Sequence, residues 1–187
     1  MAKINKDHLD KFFVHGLDLD TRTYYFGDAV TADTVADLIK GIHVLEHAGP
    51  DRPILILMNN GGGSWDLGIG AYDIIRSSTC EITIRCAGHC MSMASVILQA
   101  ADIRESYPNT EFMIHDGTAE DVPDRIRDLT RWAEREKRIC ESMYRIFAER
   151  SKHDVAFWRR KCADDYILTA DEALELGLID RIVGVTE

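Results

Sequence analysis

Short β-branched, apolar runs alternate with longer amphipathic stretches along this chain, and that alternation restricts the fold more than any other feature. Residues 23–26 read as a strand, and Val35, Leu38, Ile39, Ile42 and Leu45 then recur at helical spacing behind a Thr31 or Asp33 cap. Residues 54–58 read as a buried strand and 64–76 as a helix; 82–87 is the next strand and 92–101 the next helix. Further strands are expected at 103–106 and 111–114. Strands separated by helical crossovers pair in parallel, so an α/β fold with a mostly parallel sheet is expected. The chain shows no internal repeat, low-complexity tract or dividing linker, and its 187 residues suit a single domain, 1–187, with a sizeable core.

Sites in such sheets gather at the carboxyl ends of the strands, and three chemically capable segments of this chain follow strands. Gly61, Gly62 and Gly63 follow 54–58, Ser92 follows 82–87, and His115 ends the run Glu111-Phe112-Met113-Ile114-His115. A hydroxyl at a strand-to-helix turn sits on a short, stiff connection, with the next backbone N–H groups, Met93 first, pointing at whatever it attacks. Consecutive glycines let backbone approach a substrate closely, as an oxyanion site requires, although alone they read equally well as a flexible turn. Ser95 lies one helical turn beyond Ser92, where a hydroxyl usually bonds a backbone carbonyl. Asp116 adjoins His115, but neighbouring strand residues face opposite ways, so the acid that orients His115 must come from elsewhere. Asp165 and Asp164, just before Tyr166-Ile167-Leu168-Thr169-Ala170, are the candidates. Cys90-Met91-Ser92-Met93-Ala94 is not the G-x-S-x-G elbow of the α/β-hydrolases, which disfavours that fold.

Composition narrows the remaining choices. A net charge of −10 lacks the basic footprint that nucleic acid binding needs. No apolar run approaches the ~20 residues of a membrane span, and the start Met1-Ala2-Lys3-Ile4-Asn5-Lys6 has no apolar leader region. Five cysteines in no framework spacing (Cys80, Cys86, Cys90, Cys140, Cys162) argue for a reducing cytoplasm. Cys86, His89 and Cys90 could be metal donors, but no second cluster completes a ligand set, so these cysteines read as small buried hydrophobes and no metal is expected.

Four blocks taken together resemble the proteolytic subunit of the Clp protease, the ClpP family, over residues 12–185. Asn59-Asn60-Gly61-Gly62-Gly63 with Tyr72-Asp73 is similar to that family's glycine loop and helix, and Gly88 to Met93 to its Gly-x-x-x-Ser-Met nucleophile turn. Met113-Ile114-His115 matches the histidine block. Leu168-Thr169-Ala170-Asp171-Glu172-Ala173 and Gly177-Leu178-Ile179-Asp180 match the aspartate block and the ending. The resemblance implies a serine endopeptidase on a ClpP/crotonase-like spiral of βαβ units with a long protruding handle helix. It implies Ser92 as nucleophile, His115 as general base, Asp165 as the orienting acid, and Gly63 and Met93 as oxyanion donors. The family spacing to Thr169-Ala170 is what favours Asp165 over Asp164. No cofactor is implied in the subunit, and ATP enters only through a partner AAA+ unfoldase of the ClpX or ClpA type. A homo-oligomeric ring, a heptamer or double heptamer, that degrades polypeptides is the implied assembly.

Residues 121–150 lack glycine, Pro123 suits a first helical turn, and Ile126, Leu129, Ala133, Cys140, Met143 and Phe147 recur at near-heptad spacing. A handle helix at about 121–150, up to ~40 Å long, is therefore expected. Thr169 with Glu172 reads as a capping box and Gly177 as the stop of a short helix. Many ClpP chains are glycine-rich after the histidine, whereas this one reads Asp116-Gly117-Thr118-Ala119-Glu120-Asp121-Val122-Pro123-Asp124. Like charges there should weaken pairing of two rings. The region before Tyr24 is short and has no obvious apolar axial loop, which leaves unfoldase docking open. A phage or prophage member processing capsid proteins fits the same blocks. Two other readings remain: a noncatalytic ring subunit or scaffold, and a crotonase-type acyl-CoA hydratase or isomerase, which has no use for a Ser/His/Asp set.

Overall fold

In a computed structural model, which describes residues 6–118 and 122–184, the alternating pattern is realised as a sheet with helical crossovers. The chain runs α1 (Lys6–His15), β1 (Leu17–Asp18), β2 (Thr23–Val30), α2 (Ala32–Ala48), β3 (Ile54–Gly63), α3 (Trp65–Ser77), β4 (Ile82–Met91) and α4 (Met93–Leu98). It continues through β5 (Ile103–Ser106), β6 (Glu111–Ile114), α5 (Ile126–Arg150), α6 (Val155–Lys161), β7 (Tyr166–Thr169), α7 (Ala170–Leu176) and β8 (Arg181–Ile182). The main path of the sheet is β1-β2-β3-β4-β5-β8, with β6 on β4 and β7 on β6. Pairing is parallel except for β1 with β2 and β6 with β7, as expected for βαβ units closed by two antiparallel edges.

Register aligns the apolar phase of neighbouring strands. Ile54, Ile56 and Met58 lie beside Ile82, Ile84 and Cys86, and all six are buried. α2 packs against β2 and α3 and contributes Val35, Leu38, Ile42 and Leu45 to the same core. Thr31 and not Asp33 caps it, in a reciprocal box with Thr34. The Thr169–Glu172 capping box forms on α7, and Gly177 ends that helix at φ 80°, a left-handed conformation glycine adopts without steric cost.

β4 is the strand that shapes the site. Its residues 83–86 pair with β5, while residues 89–91 pair with β6, so the sheet forks along one strand. The fork falls at a register shift near Gly88, whose φ is 77°. Asn59 fills the bend: its Oδ1 accepts from the His89 N–H at 3.3 Å and lies 2.9 Å from where a Gly88 Cβ would stand. A bulge of this kind re-aims the end of a strand, here the end that carries Ser92.

Two expectations change. The long helix begins at Ile126 with extended Arg125 as its N-cap, so Val122, Pro123 and Asp124 precede it, and Asp121 lies outside the described residues. No side chain caps that end, and proline at 123 disfavours helical backbone at Val122, the residue before it. At 1.5 Å per residue α5 is still ~38 Å long. Of the near-heptad positions only Met143 and Phe147 are buried, together with Tyr144, while Ile126 is 85% exposed: the N-terminal part stands off the core as a handle. The second change is α1, which the alternating pattern did not suggest and which leaves Phe12, Phe13 and Val14 exposed. Among the described residues, no helix is long and apolar enough to cross a membrane.

Candidate active site

Ser92 follows β4 directly and adopts φ 52°, ψ −123°, a region disfavoured for a residue with a Cβ. Such strain costs on the order of 1–3 kcal/mol and persists only where surrounding structure imposes it. Here the Ser92 N–H donates to Met113 O of β6 at 2.7 Å, which pins the turn to the neighbouring strand. The hydroxyl is thereby presented 2.8 Å from His115 Nε2. Ser95 is directed away: its hydroxyl bonds Cys90 O at 2.7 Å, with Met113 O at 3.1 Å.

His115 is the first residue beyond β6, and its Nδ1 lies 3.1 Å from Asp165 Oδ1. An ionised carboxylate can only accept, so Nδ1 carries the proton and Nε2 is left to accept from the Ser92 hydroxyl. The register between β6 and β7 explains the choice of aspartate. Met113 pairs with Ile167 and Ile114 with Tyr166, so the next opposed positions are His115 and Asp165. Opposed residues of an antiparallel pair share a face, which sets Asp164 on the other one. Asp116 also faces away and takes a hydrogen bond from the Tyr144 hydroxyl at 2.5 Å. The His115 side chain is 18% exposed and that of Asp165 69%.

The glycine loop lies against Ser92. Gly62 has φ 92°, and a Cβ there would stand 2.7 Å from Ser92 Cβ and 3.0 Å from Met93 N. Its own N–H is taken up by Asn60 Oδ1 at 2.8 Å. Gly63 pairs with Val30, but the ladder bond to Val30 O comes from the Ser64 N–H at 3.1 Å, so Gly63 is not the donor there. The approach of Gly62 to Met93 N places the loop backbone beside the turn that carries Ser92, while a Cβ on Gly63 would meet Val30.

Asn60, part of the Asn59 to Gly63 block, has a structural role that the resemblance does not assign. It is fully buried, its Nδ2 donates to Gly27 O at 3.1 Å, and with its bond to Gly62 it shapes the loop. The signal is a polar residue in the buried phase Ile54, Ile56, Met58, Asn60. Cys86 and Cys90 are buried while His89 is exposed, so the three do not converge. Among the described residues no group of three or more His, Cys, Asp or Glu side chains is placed to hold an ion.

Comparison with known proteins gives a consistent pattern. A family profile described as Clp protease matches residues 11–186. The chain is 31% identical over 166 residues to ATP-dependent Clp protease proteolytic subunit 1 of Rhodococcus jostii, covering 88% of this chain and 76% of that one. It is 28% identical over 172 residues to ATP-dependent Clp protease proteolytic subunit 1 of Protochlamydia amoebophila, covering 90% and 84%. The ATP-dependent Clp protease proteolytic subunit of Bdellovibrio bacteriovorus is 29% identical over 169 residues, covering 88% and 80%.

Proposed function

The chain belongs to the Clp protease family, and on that premise we propose that Ser92, His115 and Asp165 hydrolyse peptide bonds through an acyl-enzyme on Ser92. It is a ClpP-like serine peptidase, and neither the noncatalytic nor the crotonase-type alternative is favoured. The observation that carries the residue assignment is the continuous relay from Ser92 Oγ to His115 Nε2 (2.8 Å) and from His115 Nδ1 to Asp165 (3.1 Å). As Oγ attacks the carbonyl carbon, His115 takes its proton; the tetrahedral oxyanion accepts from Gly63 and Met93 N–H groups. His115 then protonates the leaving amine, and a water repeats the cycle to release the acid. Asp165 holds the tautomer throughout. These steps need no cofactor in the subunit.

Family membership supports a ring-forming oligomer that works with AAA+ unfoldases. The finer reading is a heptameric ring served by a ClpX-like or ClpA-like unfoldase, the sole point at which ATP enters, and acting on polypeptides. The free cysteines suit work in the cytoplasm. α5 is the contact between stacked rings in this reading, and the acidic sequence from Asp116 to Asp124, of which Glu120 and Asp121 lie outside the described residues, makes that pairing repulsive.

A fluorophosphonate probe followed by peptide mapping is expected to label Ser92, and sedimentation across a salt series to show a closed ring. Pairing of rings should strengthen with salt, which reduces the Debye length to ~10 Å at 0.1 M. A monomer at every concentration and ionic strength would rule out the compartment, and labelling at another serine would rule out the nucleophile. For the acid, Asp165→Asn is expected to lower kcat by roughly four orders of magnitude, the size seen when a triad aspartate loses its charge. Asp164→Asn should leave kcat near wild type. Equal losses at unchanged thermal stability would reject Asp165.

A further inference from the structure

Asp116 has no part in the proton relay, although it directly follows His115, and it is held by two separate elements. Its N–H donates to Cys162 O at 2.8 Å, and its Oδ1 accepts from the Tyr144 hydroxyl at 2.5 Å. Cys162 is the C-cap of α6 and lies shortly before Asp165 in the chain. Tyr144 is 3% exposed and sits between Met143 and Phe147 in the part of α5 that packs on the core. One residue therefore ties the chain leaving His115 to the chain approaching Asp165, and both to a rigid helix.

The triad needs such a tie. The ladder between β6 and β7 ends at Ile114 and Tyr166, one position short of the histidine and the aspartate. Beyond that point the His115–Asp165 contact relies on a carboxylate whose side chain is 69% exposed, where water competes for each hydrogen bond. Beyond the end of the ladder the Asp116 N–H bridges the two chains again, reaching Cys162 O rather than the opposed position 164. Burial, and then the Asp116 carboxylate, push the Tyr144 hydroxyl far above the ordinary tyrosine range, so it remains a donor at any working pH.

We propose that Tyr144 is a positioning residue for the triad: through Asp116 it holds the segments around His115 and Asp165 in the register that keeps the imidazole between Ser92 and Asp165. Tyr144 touches none of the reacting atoms and acts only through Asp116. The inference rests on the assignment of Ser92, His115 and Asp165 above.

The test is steady-state kinetics on a short fluorogenic peptide with the full chain in its native assembly. Tyr144→Phe keeps the ring and removes the hydroxyl, and is expected to lower kcat roughly 10- to 100-fold, the scale of a small misplacement of a catalytic group, with KM unchanged. Asp116→Ala should give the same loss, and Asp116→Asn, which keeps an Oδ1 acceptor, should stay within about twofold of wild type. The double variant Tyr144→Phe/Asp116→Ala should be no slower than either single one, because both remove the same link. A wild-type kcat for Tyr144→Phe, a change in KM alone, or an Asp116→Asn as slow as Asp116→Ala overturns the proposal. So does multiplication of the two single losses. A fall in kcat that tracks loss of native mass or of thermal stability assigns Tyr144 to packing and overturns it equally. Wild-type protein that fails to react with the serine probe would instead refute the triad assignment, which separates the two failures.

Discussion

Purified Ser92→Ala protein loses peptide cleavage by roughly three to six orders of magnitude, and His115→Ala loses a comparable amount, because triad members act as a unit. The two losses do not multiply in the double variant: without the hydroxyl the imidazole has no proton to take, and without the imidazole the hydroxyl stays a weak nucleophile. Initial rates on a fluorogenic peptide, with native mass checked on the same sample, measure this. Substantial activity in Ser92→Ala would remove Ser92 from the mechanism. Stability supplies a second reading at the same position. Alanine retains a Cβ at φ 52°, whereas glycine does not, so Ser92→Gly should be equally inactive yet more stable than Ser92→Ala by about 1 kcal/mol. That ordering links the strained backbone to the presentation of the nucleophile.

The largest effect on stability is expected at Arg104, which is 6% exposed and far from the reacting atoms. Its guanidinium bonds Gln99 Oε1 at 2.7 Å, Arg150 O at 2.6 Å, Gly177 O at 3.0 Å and Asp180 Oδ1 at 2.5 Å. One side chain thus joins the end of α4, the last residue of α5 and the segment after α7. Arg104→Ala leaves several buried acceptors unpaired and is expected to cost roughly 3–5 kcal/mol, read as a shift of the urea midpoint at fixed protomer concentration. A cost below about 1 kcal/mol would show that water replaces the guanidinium.

The same pair makes the fold acid-sensitive. Partial burial works to raise the Asp180 carboxyl, but hydrogen bonds from Arg104 outweigh it and hold Asp180 below its ordinary value. Glu105 behaves alike: burial raises it, and Arg85 and Arg181 more than reverse that. A carboxyl depressed in the folded state stabilises the fold fully above its unfolded value, about 4 for these residues, and that contribution fades as pH falls through the folded value. The Asp180 share should vanish in Arg104→Ala, flattening the acid limb of its stability curve. An unchanged limb would place the acid sensitivity elsewhere.

Much of the site was legible because its determinants are local. A hydroxyl between a β-branched run and an apolar helix, glycines after a strand and a histidine at a strand end each state their role within a few residues. The role of Asn60 is also legible locally, since a polar side chain in a buried period-2 phase points to a structural hydrogen bond. The start of α5 at Ile126 is not legible in the sequence, because Pro123 is compatible both with a first helical turn and with the extended chain before one.

Strand and helix identities, the caps at Thr31, Thr169 and Gly177 and the apolar phases of β3 and β4 follow from side-chain chemistry and periodicity along the chain. Choosing Asp165 over Asp164 on physical grounds required pairing: neighbours in sequence always face opposite ways, but which of them faces His115 depends on the register of β7 against β6, set by Ile114 and Tyr166. The contacts of Tyr144 with Asp116 and of Arg104 with Asp180 are likewise beyond local reading. They join residues 28 and 76 positions apart, and only the packing of α5 and the order of strands in the sheet bring such groups within hydrogen-bond distance.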